Sequence, residues 1–65
     1  MKILVNGAWR DTDAADLAVA LLEFGYGDAV VATALNSEFV PVHARAGTRL
    51  ADGDRVEILA PMQGG

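Results

Sequence analysis

Lys2-Ile3-Leu4-Val5-Asn6-Gly7-Ala8-Trp9-Arg10-Asp11 is the stretch on which the fold turns. Lys2 to Asn6 alternates: Ile3 and Val5 share one face, and Lys2, Leu4 and Asn6 the other, the period of a half-buried strand. Asn6-Gly7 supplies two residues that tolerate positive φ, as a two-residue type I′ hairpin turn requires. Ala8 to Asp11 is therefore expected to return antiparallel to the first strand. Trp9, a large and largely apolar side chain, is expected to cap one end of the core. Leu4 is expected on the outward face by parity.

Beyond the hairpin, Thr12-Asp13 reads as the opening of a helix, with Asp13 as N-cap and Asp16 in the first turn. Ala14, Leu17, Ala18, Leu21 and Phe24 fall on one side of the helical wheel, opposite Asp16 and Glu23. That stripe belongs to a surface helix lying on a sheet. Gly25 stands where a left-handed C-cap glycine belongs. Ala29 to Asn36 reads as a third strand. Its inward face stays open, because Val31, Thr33 and Leu35 compete with Val30, Ala32 and Ala34. Asn36-Ser37-Glu38 is a turn, Phe39-Val40 a short strand ended by Pro41, and Val42 to Gly47 has no clear period. Asp52-Gly53 marks another tight turn. Arg55 to Ala60 is the last strand, with Val56 and Ile58 facing the core and Arg55, Glu57 and Leu59 outward.

The predicted order is hairpin, helix, strand, short strand, strand. One helix packed on one face of a small mixed sheet accommodates it, an α+β architecture. If the last strand pairs beside the first, the two run parallel in a β-grasp arrangement. Residues 1–60 form the domain on this reading, and 61–65 a flexible Gly-Gly tail. Pro61 cannot donate to a ladder and fixes φ, so it stops the sheet and aims the tail outward. Met62 and Gln63 are long, unbranched side chains able to grip a partner's groove. Gly64 and Gly65 carry no Cβ and can pass a channel too narrow for side chains. The terminal carboxylate of Gly65 is ionised at neutral pH and weakly nucleophilic. It becomes an acyl donor once it carries a leaving group such as AMP, so the tail reads as a substrate for another protein's active site.

Composition narrows the possibilities. Sixty-five residues make one domain near the lower size limit for folding without staples, yet 52% of them are hydrophobic, which supports a core. No cysteine is present, which removes disulfides, thiolate metal sites and side-chain thiol chemistry together. The net charge of −4 argues against nucleic acid and favours a basic protein partner. No run approaches the roughly 20 apolar residues that span a bilayer, and the apolar run at the N-terminus is too short for a signal peptide. A soluble, cytoplasmic protein with no membrane association is expected.

No catalytic set assembles from these residues. Ser37 and His43 are the sole serine and histidine, each in a loop. With no cysteine or second histidine, no metal site is expected. Asp52 and Asp54 flank Gly53 as turn formers rather than as paired acids. Gly25 and Gly27 lie at the end of a helix, not at its start where anion-binding amides would be. The chain is not expected to be an enzyme or to bind a cofactor itself.

Several segments together resemble a known family: Ile3-Leu-Val-Asn-Gly7, Ala34-Leu-Asn36 with Phe39-Val-Pro41, Leu50-Ala-Asp-Gly-Asp54 with Val56-Glu-Ile58, and Pro61-Met-Gln-Gly-Gly65. They resemble the ThiS family of ubiquitin-like β-grasp sulfur carriers in thiamine biosynthesis, over nearly the whole length. The resemblance implies that Gly65 is adenylated at the expense of ATP by a ThiF-like adenylyltransferase. Sulfur from a desulfurase system then displaces AMP, leaving a thiocarboxylate. A ThiG-like thiazole synthase accepts that sulfur. Pro61, Met62, Gln63 and Gly64 would thread the partner's active site. The residues themselves suggest a docking patch at Leu4 and Leu59, outward on strands expected to be neighbours. A molybdopterin-type sulfur carrier, a ubiquitin-like modifier conjugated through Gly65 and a passive interaction module remain alternatives.

Overall fold

The computed structural model describes residues 1–60. The expectations for Pro61, Met62, Gln63, Gly64 and Gly65 therefore concern residues outside those described. Strands β1 (Lys2–Val5) and β2 (Ala8–Asp11) form the opening hairpin, in the register Leu4 opposite Trp9 and Val5 opposite Ala8. Asn6 at φ 49° and Gly7 at φ 85° make the turn, both in the left-handed region that the type I′ geometry demands. Three further strands complete the sheet: β3 (Ala32–Leu35), β4 (Glu38–Val40) and β5 (Arg55–Leu59). Their spatial order is β2-β1-β5-β3-β4. Among the described residues only the β1–β5 pairing is parallel, with Leu4 opposite Arg55 and Val5 opposite Val56. The expected mixed sheet with parallel first and last strands is present, and β5 is its central strand.

The helix α1 is shorter than its apolar stripe suggests, running Leu17–Glu23 with Asp16, not Asp13, as N-cap. Asp16 is extended (φ −140°, ψ 171°), and its Oδ1 accepts from the Val19 amide at 2.9 Å. The missing turn has competing partners. Thr12 Oγ1 accepts from the Ala14 amide at 3.0 Å and donates to Glu23 Oε1 at 2.8 Å. The Leu50 amide donates to the Ala15 carbonyl, and the Leu17 amide to the Thr48 carbonyl, so an antiparallel bridge of Asp16 to Arg49 replaces helix there. At the other end Gly25 adopts φ 91°. The Tyr26 amide bonds the Leu21 carbonyl and the Gly25 amide the Leu22 carbonyl, the paired closure of a Schellman cap.

The core lies between α1 and one face of the sheet: Ile3, Val5, Leu17, Leu21, Val31, Val40, Val56 and Ile58. The inward parities expected for β1 and β5 hold. The third strand is shorter than expected and turns Val31, Thr33 and Leu35 inward. Thr33 is fully buried there because its hydroxyl is satisfied twice, donating to the Val40 carbonyl at 2.8 Å and accepting from Arg45 Nε at 3.1 Å. Arg45 comes from the six-residue 3-10 helix Val42–Gly47, which fills the stretch without period, and its Nη2 also donates to the Val31 carbonyl at 2.6 Å. Thr33→Val, of equal size, should cost about 1–3 kcal/mol because it strands both partners. Urea denaturation of the two proteins measures that difference.

Trp9 departs from expectation. It is 60% exposed, and every residue of β2 is exposed. The register explains it: Trp9 lies opposite Leu4, and cross-strand partners share a face, so both point away from the core. No helix among the described residues is long and apolar enough to cross a membrane.

Candidate functional site

The strand that precedes residues 61–65 is held from both sides. β5 has β1 on one side and β3 on the other, and each neighbouring hairpin adds a side-chain clasp. Asn6 donates its backbone amide to the Val56 carbonyl at 3.0 Å. Its side chain then spans the next gap, with Nδ2 donating to the Ile58 carbonyl at 3.0 Å and Oδ1 accepting from the Ile58 amide at 2.8 Å. The parallel ladder thus continues one step past the end of β1, with a carboxamide in place of a peptide. Asn36, at φ 50° in the β3–β4 turn, does the same at the start of β5. Its Oδ1 accepts from the Arg55 amide at 2.9 Å, its Nδ2 donates to Asp54 Oδ1 at 3.0 Å, and its backbone amide reaches the Arg55 carbonyl at 2.8 Å. Sequence reasoning took both asparagines as turn formers only. The signal was their placement at two hairpin turns flanking one strand, where a left-handed backbone frees the side chain to reach sideways.

The remaining chemistry-bearing residues are occupied or isolated. Asp54 Oδ2 accepts from the Ala51 amide within its own turn, as a turn former does, whereas Asp52 Oδ1 accepts from the Lys2 amide and so fastens the turn to β1, both at 2.8 Å. Ser37 sits in the β3–β4 turn, where its Oγ accepts from Arg55 Nη2 at 3.4 Å. His43 is exposed on the 3-10 helix. Among the described residues, no three acidic, imidazole or thiol side chains come together as metal ligands.

On the sheet face opposite the helix, Leu4 and Leu59 both line one shallow groove, with Asn6, Arg55 and Glu57 also along it. Leu4 is half-buried and Leu59 is 64% exposed. They do not adjoin. Leu4 lies opposite Arg55, and Leu59 is four residues further along β5, about 13 Å at the rise of a strand. Nearer to Leu59 are Ala32, its cross-strand partner on β3, and Val30, which lines a second hollow with Val31, Ala32, Leu59 and Ala60. One row back, Ala34 stands between Glu57 and Phe39. This half of the face, nearest Ala60, is largely apolar, with Val30 80% and Phe39 70% exposed.

Comparison with known proteins agrees with this architecture. The chain is 36% identical to the thiamine biosynthesis protein ThiS of Geobacter metallireducens in its crystal structure, with a TM-score of 0.72 and each chain covered in full. A solution structure of a thiamine biosynthesis protein from the same organism superposes with a TM-score of 0.79 at 32% identity, covering all of this chain and 88% of the other. A thiazole synthase of Paramagnetospirillum magneticum is 39% identical across the whole of this chain, which spans only 20% of that protein's length. The ThiS family model matches residues 3–65, and with the β-grasp sheet described above this chain belongs to the ThiS family of ubiquitin-like sulfur carriers in thiamine biosynthesis.

Proposed function

We propose that the working group of this protein is the α-carboxylate of Gly65, which alternates between carboxylate, acyl-adenylate and thiocarboxylate. The carboxylate oxygen attacks the α-phosphorus of ATP in a partner adenylyltransferase, and pyrophosphate leaves. The terminal sulfur of a persulfide, furnished by a desulfurase, then attacks the acyl carbon and expels AMP. A thiol cleaves the resulting acyl disulfide at its S–S bond and releases the thiocarboxylate. The partner supplies ATP binding and the electrostatic stabilisation of phosphoryl transfer. This chain supplies recognition, reach and an acyl end without side chains.

The observation that carries this reading is the family match running through to Gly65, five residues beyond the last described position. The fold gives it mechanical sense. Those five residues follow the central strand of the sheet, clasped by Asn6 and Asn36, so their base is held against the domain. The Paramagnetospirillum relative supports a thiazole synthase as the acceptor. There, a segment similar to this chain forms part of a protein bearing that name, and joining two units in one chain raises the effective concentration of one for the other.

Isotope exchange between pyrophosphate and ATP tests the first step. With the adenylyltransferase of the same genome, exchange should depend on this chain and vanish when Gly65 is deleted. Exchange that persists undiminished without Gly65 would contradict the proposal.

A further inference from the structure

We propose that Asn6 is a site of spontaneous deamidation, and that its clasp on Ile58 is what holds the reaction back. The inference is independent of Gly65 and of any partner. Asn6 precedes Gly7, which has no side chain to shield its amide nitrogen. A Cβ built on Gly7 would meet nothing within 4 Å, so the turn is open on that side as well. The Gly7 nitrogen, on losing its proton, attacks Asn6 Cγ and closes a succinimide ring, while Nδ2 leaves as ammonia. Water then opens the ring at either carbonyl. One product carries an aspartyl side chain at position 6. In the other, an isoaspartyl residue, the main chain runs through Cβ. Each conversion consumes one water and releases one ammonia, with nothing oxidised or reduced.

The folded geometry opposes the first step. The Asn6 carboxamide is engaged at both ends, with Nδ2 donating to the Ile58 carbonyl at 3.0 Å and Oδ1 accepting from the Ile58 amide at 2.8 Å. Both bonds draw it across to β5, whereas cyclisation needs Cγ brought back onto the nitrogen of the next residue. The side chain must leave Ile58 before it reacts, and each bond released costs about two- to tenfold in that equilibrium. Asn36 is the internal comparison. Its side chain also holds β5, through the Arg55 amide, but Ser37 follows it and crowds the attacking nitrogen. Asn6 thus combines the faster chemistry with the clasp that restrains it. Modification makes an opening of the clasp permanent. The aspartyl product has lost the donor to the Ile58 carbonyl. The isoaspartyl product adds a backbone atom to a two-residue turn that sets Val5 opposite Ala8.

The test incubates the full chain at neutral pH, folded and in denaturing urea, and follows the exchange of amide for acid at each asparagine by peptide mass spectrometry. Asn6 should react about tenfold or more slowly in the folded chain than in the unfolded one, since two bonds must open first. In the unfolded chain it should react faster than Asn36. At urea concentrations below the unfolding transition, hydrogen exchange at the Ile58 amide should rise by the same factor as deamidation of Asn6, because both wait on one opening. Equal rates at Asn6 in the folded and unfolded chain would overturn the proposal. So would Ile58 exchange that rises while deamidation of Asn6 does not. Asn36 outpacing Asn6 in the unfolded chain would overturn the choice of site.

Discussion

Gly64→Ala is expected to lower the rate of adenylation by about a hundredfold, with the thermal midpoint of the domain unchanged. The added Cβ is a single carbon, and its effect comes from where it goes. The reacting carboxylate must be set in line with the α-phosphorus of ATP, and a displacement of about 1 Å at such a centre costs on the order of 10²-fold in rate. A methyl group one residue from the carboxylate produces that displacement if the channel was shaped around two glycines. Pyrophosphate exchange measures the rate, and a calorimetric scan checks the fold. A variant that exchanges within about threefold of the unaltered chain would mean that the two glycines are not gripped at all.

Asn6→Asp should remove about 1–3 kcal/mol of stability, the cost of breaking one half-buried bond and setting a carboxylate against a carbonyl in its place. A domain of this size has only about 3–5 kcal/mol to lose. Aspartate keeps the shape and tolerates the left-handed backbone at φ 49°, so the turn itself is not what fails. The loss falls on the bond from Asn6 Nδ2 to the Ile58 carbonyl, because a carboxylate oxygen then faces a carbonyl oxygen across 3.0 Å. Urea denaturation at neutral pH measures the deficit. It should shrink as the pH falls toward roughly 4, where the introduced carboxyl becomes protonated and can donate again. A deficit independent of pH would place the damage elsewhere than at that bond.

The parts of this structure that were legible in the sequence are those decided by neighbours in the chain. Asn6-Gly7 announced its turn because positive φ is a property of those residues. Ile3 with Val5, and Val56 with Ile58, declared their inward faces because the alternation of a strand is local. Gly25 marked the helix end for the same reason. The start of the helix was not local. Asp16 became the cap because the Thr48 carbonyl and the Leu50 amide, more than thirty residues on, compete for the backbone at Leu17 and Ala15. The inward face of β3 was likewise set from outside, by Arg45 satisfying a buried Thr33 that the sequence left equivalent to its neighbours. Trp9 was misplaced although the means to place it were at hand. Parity put Leu4 outward, and the two-residue turn set Trp9 opposite it, but the size of an indole argued for burial. On an edge strand with no helix above its outer face, register prevails over hydrophobicity. At the site, the proposal for Gly65 rests on the family's motif and concerns a residue outside those described, whereas the clasp of Asn6 on Ile58 depends on which strands meet.

Intact mass spectrometry of the chain produced together with its adenylyltransferase and a sulfur donor reaches the central claim most directly. The account predicts a mass gain corresponding to one oxygen replaced by sulfur, mapped by fragmentation to Gly65 and lost when Gly65 is deleted. An unchanged mass under conditions where ATP is consumed, or attachment of Gly65 to lysines of other proteins without any sulfur-bearing form, would contradict it.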